Sequence, residues 1–163
     1  MPKQKTKTKI RTIQDSIITM TELVLPQHTN QLGNLLGGQL MHWIDICAAL
    51  AAAKHSRRVC VTASVDNIDF HQPIKLGDVV TLKASVNRAF NTSMEVGVKV
   101  YAENFSKHKD LHTNSAYLTF VSVGKNGKPV KTFEITPETE DEKRRYKDAL
   151  ERRRVRLLSR KSD

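Results

Sequence analysis

The sequence predicts an α+β fold: a curved antiparallel sheet curled around one early helix, with a second, charged helix closing the chain. Three observations carry this. From Leu40 to Ala53 the only polar side chains are His42 and Asp45. A helix apolar on nearly all sides needs cover on all of them. Downstream come several runs of period-two alternation, the mark of strands with one face on a core. Finally, Thr139 and Glu142 have capping-box spacing ahead of acid-to-base pairs four residues apart, Glu140–Arg144 and Asp141–Arg145.

Taken in order, Met1 to Gln14 is rich in Lys and Thr, a composition too polar to order itself. Ser16 to Leu25 carries Ile17, Ile18, Met20, Leu23 and Val24 and reads as a strand ended by Pro26. His28 to Gln31 forms a polar turn into the glycine-marked segment Gly33–Gly38. The apolar helix follows from about Gly37 to Lys54, with 54–57 as its solvated end. At roughly 16 residues its apolar part is too short to span a membrane.

Arg58 to Phe70 is the next strand, with Val59, Val61, Ala63 and Val65 on one face and Thr62 and Ser64 on the other. At Asp66 the phase flips to Ile68 and Phe70, which predicts a bulge or a break. Turns at His71–Pro73 and Lys75–Asp78 precede an antiparallel hairpin. Its first strand is Asp78–Arg88, with Val80, Leu82, Ala84 and Val86 in phase. Its second is Thr92–Glu103, with Met94, Val96, Val98 and Val100 in phase. After a charged loop, Asn104–Asp110, the segment Leu111–Val123 is apolar on both faces and reads as a central or interface strand. The closing helix has a thin stripe of Tyr146, Leu150 and Leu157, which predicts a solvated helix lying on the domain or on a neighbouring subunit. This divides the chain into a basic tail (1–15), one folded domain (16–130) and a charged helical extension (131–163).

The formal charge is +10. Residues 1–16 contribute +4 and residues 138–163 another +3, so most of the excess sits at the ends. A basic balance suits nucleic acid or a polyanionic small ligand. With only nine aromatic residues and none interleaved with the basic runs, a nucleic-acid surface is disfavoured. The two cysteines, Cys47 and Cys60, have no paired spacing, which fits a reducing cytoplasmic setting. The N-terminus lacks the apolar core of a secretory signal. His108 and His112 fall at a loop and a strand start, poor positions for metal ligands, and no metal is expected. Ser64 and Ser93 have no His/Asp relay, and the glycine loop lacks the Lys-Ser/Thr ending of a phosphate-binding P-loop.

The question the sequence poses is Asp45. Burial disfavours a carboxylate's charged form unless a partner offsets it. Asp45 therefore either serves structure, hydrogen-bonding a neighbouring strand, or serves chemistry, as a general base or a nucleophile. Gly37 and Gly38 bear on the choice. Glycines at a helix start allow close approach, and the unpaired N–H groups there suit a polarised carbonyl oxygen. Asp45 lies about two turns further in, near 11 Å along the axis. One chain's Asn34 and Asp45 are thus too far apart for one reaction centre, unless two copies pack about a dyad.

The run from His28 to Asp45, with its Gly37-Gly38 pair and Asp45 seven residues beyond, resembles the start of hotdog-fold acyl-CoA thioesterases. So do Val61–Asp66 with Asp69-Phe70, Gly77-Asp78, Thr92–Val96 and Pro137–Lys143, a resemblance covering about residues 17–150. It implies a long helix wrapped by a curved sheet, protomers joined sheet to sheet, and dimers assembling by threes. It also implies an asparagine and an acid supplied by opposite subunits, here Asn34 and Asp45, with a strand threonine at Thr62. Leu36 departs from the Phe or His of many relatives, which bears on substrate preference.

The activity so implied is hydrolysis of a fatty acyl-CoA. The N–H groups of Gly37 or Gly38 would hold the thioester oxygen. Asp45 would activate water with help from Thr62, or attack directly to form an anhydride. Asn34 would orient the water or the thioester, and Arg88, Asn91, Thr92 and Ser93 would meet the CoA phosphates. CoA is then part of the substrate and no separate cofactor is required. The rival is a non-catalytic acyl-CoA sensor on the same fold, which would need an output domain. Residues 1–16 are too short for a helix-turn-helix.

Overall fold

The computed structural model describes residues 10–107 and 109–161, with the side chains of 109–113 outside the description. The first nine residues and the His108/His112 pair therefore lie beyond it. In chain order the elements are β1 (Arg11–Thr12), β2 (Ile18–Leu23), α1 (Gly37–Ser56), β3 (Val59–Val65), β4 (Val79–Ala89), β5 (Ser93–Asn104), β6 (Lys109–Val123), β7 (Ile135–Thr136) and α2 (Glu140–Ser159). The five longer strands pair antiparallel in the order β2-β4-β5-β6-β3. The alternation seen in the sequence is the reason. Val80, Leu82, Ala84, Val96, Val98, Val100, Ala116, Leu118 and Phe120 all fall on one face and are buried against α1. On the helix, Leu40, Trp43, Ile44 and Cys47 fill the contact, and Ala48, Ala51 and Ala52 let the backbone lie close to the sheet.

The expectation that α1 is covered all round is corrected. The sheet wraps one side, and on the other Ile46 is 38% and Leu50 49% exposed. The helix end expected to be solvated is instead partly sunk, with His55 and Ser56 buried. Strand β3 stops at Val65, and its register on β6 shifts between Thr62 and Ser64. The predicted break is thus at Val65, with the irregularity a few residues before the phase flip. β3 is the edge of the sheet, and the valines that alternate along it are exposed, Val61 at 47% and Val65 at 41%. β6 is central, between β5 and β3.

The capping box forms as the spacing predicts: Glu142 N–H donates to Thr139 Oγ1 (3.2 Å) and the Glu142 carboxylate accepts from Thr139 N–H (3.1 Å). Of the i,i+4 pairs, Asp141 meets Arg145 at 3.0 Å, while Glu140 turns to Lys143. Of the thin apolar stripe, Tyr146 packs on the domain while Leu150 and Leu157 stay exposed. Arginines add polar contacts. Glu95 points outward from β5 and is fully buried under α2. Arg152 grips it with two bonds, at 2.7 and 3.0 Å, and stacks on Tyr117 at 3.7 Å. Asn87 Nδ2 donates to the same carboxylate at 3.0 Å. Gly97 makes room for that amide, since a Cβ there would sit 2.7 Å from it. Arg145 donates to Ser85 Oγ and Arg156 to Asp66.

Two predictions follow from these burials. Removing one member of a buried pair strands the other's charge. Arg152→Ala therefore lowers stability by about 3 kcal/mol, read by urea denaturation. The second concerns His55. Its Nε2 lies 2.9 Å from the Phe133 carbonyl, and its buried Nδ1 has no partner among the described residues. Burial, reinforced by the nearby positive Arg11, lowers its pKa. The unfolded chain therefore binds the proton more readily. The contribution of neutral His55 is complete above the unfolded value, roughly 6.5, and is lost as pH falls below it. Melting temperature should drop between pH 7.5 and 5, and His55→Gln should flatten that slope.

Candidate active site

Two clusters carry the candidate chemistry, one in the loop before α1 and one on the helix itself. The loop is shaped by Asn30. Its Oδ1 accepts from Leu32 N–H at 2.9 Å and Asn34 N–H at 3.1 Å, and its own N–H donates to the Asn34 carbonyl at 2.9 Å. Gly33 takes φ +71°, the left-handed conformation that a Cβ disfavours, which lets the turn close. Leu35 N–H to the Ile74 carbonyl (2.7 Å) and Leu76 N–H to the Gly33 carbonyl (2.9 Å) fasten the loop to the segment before β4.

No side chain caps the start of α1. Gln39 and Leu40 N–H both turn to the Leu36 carbonyl, so Gly37 and Gly38 N–H have no partner among the described residues. A Cβ on Gly38 would meet nothing within 4 Å, and one on Gly37 only the Phe70 ring at 3.6 Å. No intramolecular packing thus demands these glycines, and the space in front of them is open. Beside them lies a cavity of ≈ 370 Å³ lined by residues that include Asn30, Asn34, Gly37 and Phe70. Both asparagines reach it, each with its side-chain oxygen already accepting a hydrogen bond. Asn30's oxygen is occupied by the two loop N–H groups, which leaves its NH2 as the group on offer. Asn34's Oδ1 accepts from Lys75 Nζ at 2.6 Å.

The second cluster is Asp45 and Thr62. Thr62 faces the helix side of the sheet, as does its cross-strand neighbour Phe120. Its Oγ1 donates to Asp45 Oδ1 at 2.8 Å. Asp45 is half-buried rather than enclosed, and its Oδ2 has no partner among the described residues. It does not line the cavity beside Gly37, from which it stands roughly 12 Å along the helix axis. One chain therefore holds the two halves of the expected site apart.

The residues expected to meet CoA phosphates come together in the β4–β5 hairpin. Asn91 and Thr92 accept backbone bonds from Thr132 and Ser122, which fixes the turn. Arg88 stacks on Tyr146 at 4.0 Å and donates to its carbonyl. Ser93 Oγ accepts from Arg153 at 3.1 Å. Cys47 is no nucleophile, because burial pushes its thiol up to about 11. His28 is bound to Leu25 N–H and packs edge-on against Trp43, while His42 and His71 are exposed. Among the described residues no three His, Cys, Asp or Glu side chains converge on a metal-sized site, and no helix is long and apolar enough to cross a membrane.

A family model described as the thioesterase superfamily matches residues 32–105. The acyl-CoA hydrolase of Staphylococcus aureus, solved with butyryl coenzyme A, is 36% identical, with a TM-score of 0.86 over 94% of this chain and 96% of that one. The chain belongs to the thioesterase superfamily. Its α+β fold is the hotdog fold with a C-terminal helix. An apo-hexameric acyl-CoA thioesterase is 38% identical, with a TM-score of 0.89 over 93% of this chain and 97% of that one. Mouse acyl-coenzyme A thioesterase 11 is 48% identical over 86% of this chain, which spans only 24% of that longer protein.

The Staphylococcus hydrolase has also been solved with an asparagine, an aspartate and a threonine each changed to alanine. Their spacings there are fifteen residues from asparagine to aspartate and seventeen from aspartate to threonine. In this chain Thr62 follows Asp45 by seventeen, and the asparagine fifteen before Asp45 is Asn30, whereas Asn34 is eleven before it. By sequence Asn30 falls in the polar turn His28–Gln31, where in the fold its amide oxygen accepts from Leu32 and Asn34 N–H.

The open space at the glycines is testable. Gly38→Ala should leave the fold intact, or raise its stability by up to roughly 1 kcal/mol through better helix propensity. Thermal denaturation checks this. A large loss of stability would mean the glycine serves packing rather than access.

Proposed function

We propose that this chain hydrolyses acyl-CoA thioesters to free fatty acid and CoA, at a site completed by a second copy. The observation that carries the reading is the Thr62–Asp45 bond at 2.8 Å. It anchors one carboxylate oxygen and leaves the other for water, on a helix face the chain does not itself cover. The exposed Ile46, Leu50, Val61 and Val65 beside the unpaired β3 edge suit a second sheet laid alongside. About a dyad, the glycine loop of one copy then meets Asp45 and Thr62 of the other. By likeness to the hexameric thioesterase, three such dimers assemble further.

The chemistry runs in one displacement. Asp45 takes a proton from water as the water oxygen adds to the thioester carbonyl. Negative charge moves to the carbonyl oxygen, which the N–H of Gly37 or Gly38 receives. One such donor is worth roughly 3–4 kcal/mol. The C–S bond then breaks and the thiolate leaves with the proton. The role expected of Asn34 passes in this reading to Asn30, which lines the cavity and stands fifteen residues before Asp45, the spacing of the asparagine and aspartate changed in the Staphylococcus hydrolase. Arg88, Asn91, Thr92 and Ser93 form the phosphate end of the substrate site. With two separate free thiols, the protein works in a reducing, cytoplasmic setting. The basic side chains Arg145, Arg152 and Arg156 are spent on the sheet, which argues against a nucleic-acid surface.

Asp45→Asn should cut thiol release from palmitoyl-CoA by at least about 100-fold with the melting temperature unchanged, and Thr62→Ala should cost less. A folded Asp45→Asn protein turning over near the wild-type rate would end this reading. Bound but uncleaved palmitoyl-CoA in the wild type would favour the sensor.

A further inference from the structure

We infer that Arg153, from the C-terminal helix, is a phosphate-binding residue for the nucleotide end of the CoA thioester, so that α2 contributes to the substrate site. The inference rests on the hydrolase reading for its ligand, but on independent geometry for its residues. Arg153 Nη1 donates to Ser93 Oγ at 3.1 Å and its guanidinium lies 4.1 Å from the Phe90 ring centroid. Arg88 approaches the same ring at 5.8 Å. Two cations thus share one aromatic side chain at the tip of the β4–β5 hairpin.

What sets Arg153 apart is what it lacks. Its neighbours on α2 all have carboxylates: Arg152 has Glu95, Arg154 has Glu151 and Arg156 has Asp66. Among the described residues Arg153 has none, although it is half-buried. Arg88, beside it, donates only to the Tyr146 carbonyl. Like charges held together out of water cost free energy unless an anion joins them. Burial and the positive Arg156 both lower the Arg153 pKa, in line with an unneutralised cation. The donors around it suit a phosphate: a planar guanidinium fork and the Ser93 hydroxyl, with the Asn91 and Thr92 side chains uncommitted among the described residues.

The position fits as well. Ser93 lies opposite Val121 on β6, and Val121 opposite Val61 on β3, next to Thr62. Two strand spacings are roughly 10 Å. Ser93 lies on the α2 face of the sheet and Thr62 on the α1 face, so the pantetheine arm joining phosphate and thioester would cross from one face to the other at the β3 edge.

The probe is adenosine 3′,5′-bisphosphate, the phosphate-bearing head of CoA without its thioester, titrated calorimetrically into the full chain. Arg153→Gln should weaken its binding about tenfold, the loss of one charge-assisted hydrogen bond. Arg153→Lys should recover most of it. In kinetics, Arg153→Gln should raise KM for palmitoyl-CoA by a similar factor with kcat little changed. The preference for palmitoyl-CoA over the phosphate-free palmitoyl-N-acetylcysteamine thioester should shrink accordingly. Equal bisphosphate affinity in wild type and Arg153→Gln overturns the assignment, whether or not the enzyme turns over. Weakened binding together with no turnover of either thioester upholds the phosphate site and overturns the hydrolase reading instead.

Discussion

Five strands cannot close around a helix. That shortfall governs the rest of this structure. The sheet covers the side of α1 that carries Leu40, Trp43, Ile44, Cys47 and the alanines, and then ends at β3. Beyond that edge lie the uncovered side of α1 and a row of exposed valines. Asp45 sits at this boundary, half-buried, with one carboxylate oxygen held by Thr62. Thr62 is close enough to bond it because β3, although an edge strand, keeps its alternation up to the register shift after Thr62.

The outer face of the sheet obeys a different rule. There the side chains that alternate with the core include Ser85, Asn87, Glu95 and Tyr117, which would normally face water. α2 covers them with arginines, and the polar atoms find one another instead of solvent. Such an interface depends on each group being satisfied, because a buried charge without its partner is costly. Gly97 shows how tight it is: a single methyl would displace the Asn87 amide that steadies Glu95. Against this pattern of arginines paired with carboxylates, the cation at position 153 stands out.

Much of the fold was legible in the primary structure. Period-two runs give the strands of the sheet, the glycine pair marks the start of α1, and Thr139 with Glu142 marks that of α2. The misreadings have a common physical cause. Val59, Val61 and Val65 alternate like a core strand, but alternation reports only that one face is apolar, not which surface covers it. The cover over Glu95 and Asn87 comes from Arg152 and Arg145, far along the chain, which no local pattern announces. His55 looked like a solvated helix end, yet residues near Phe133 close over it.

The candidate site divides along the same line. Residue types and spacing alone determined that a carboxylate would lie on an apolar helix behind two glycines, with a threonine on the following strand. Those depend on local periodicity, which neighbouring residues set. Tertiary structure alone decided that Thr62 bonds Asp45, that Lys75 takes the Asn34 side-chain oxygen, and that the sheet ends at β3 and leaves one side of α1 uncovered. These depend on which lone pair is already taken and on where a sheet runs out of strands, and neither is written in any short stretch of sequence.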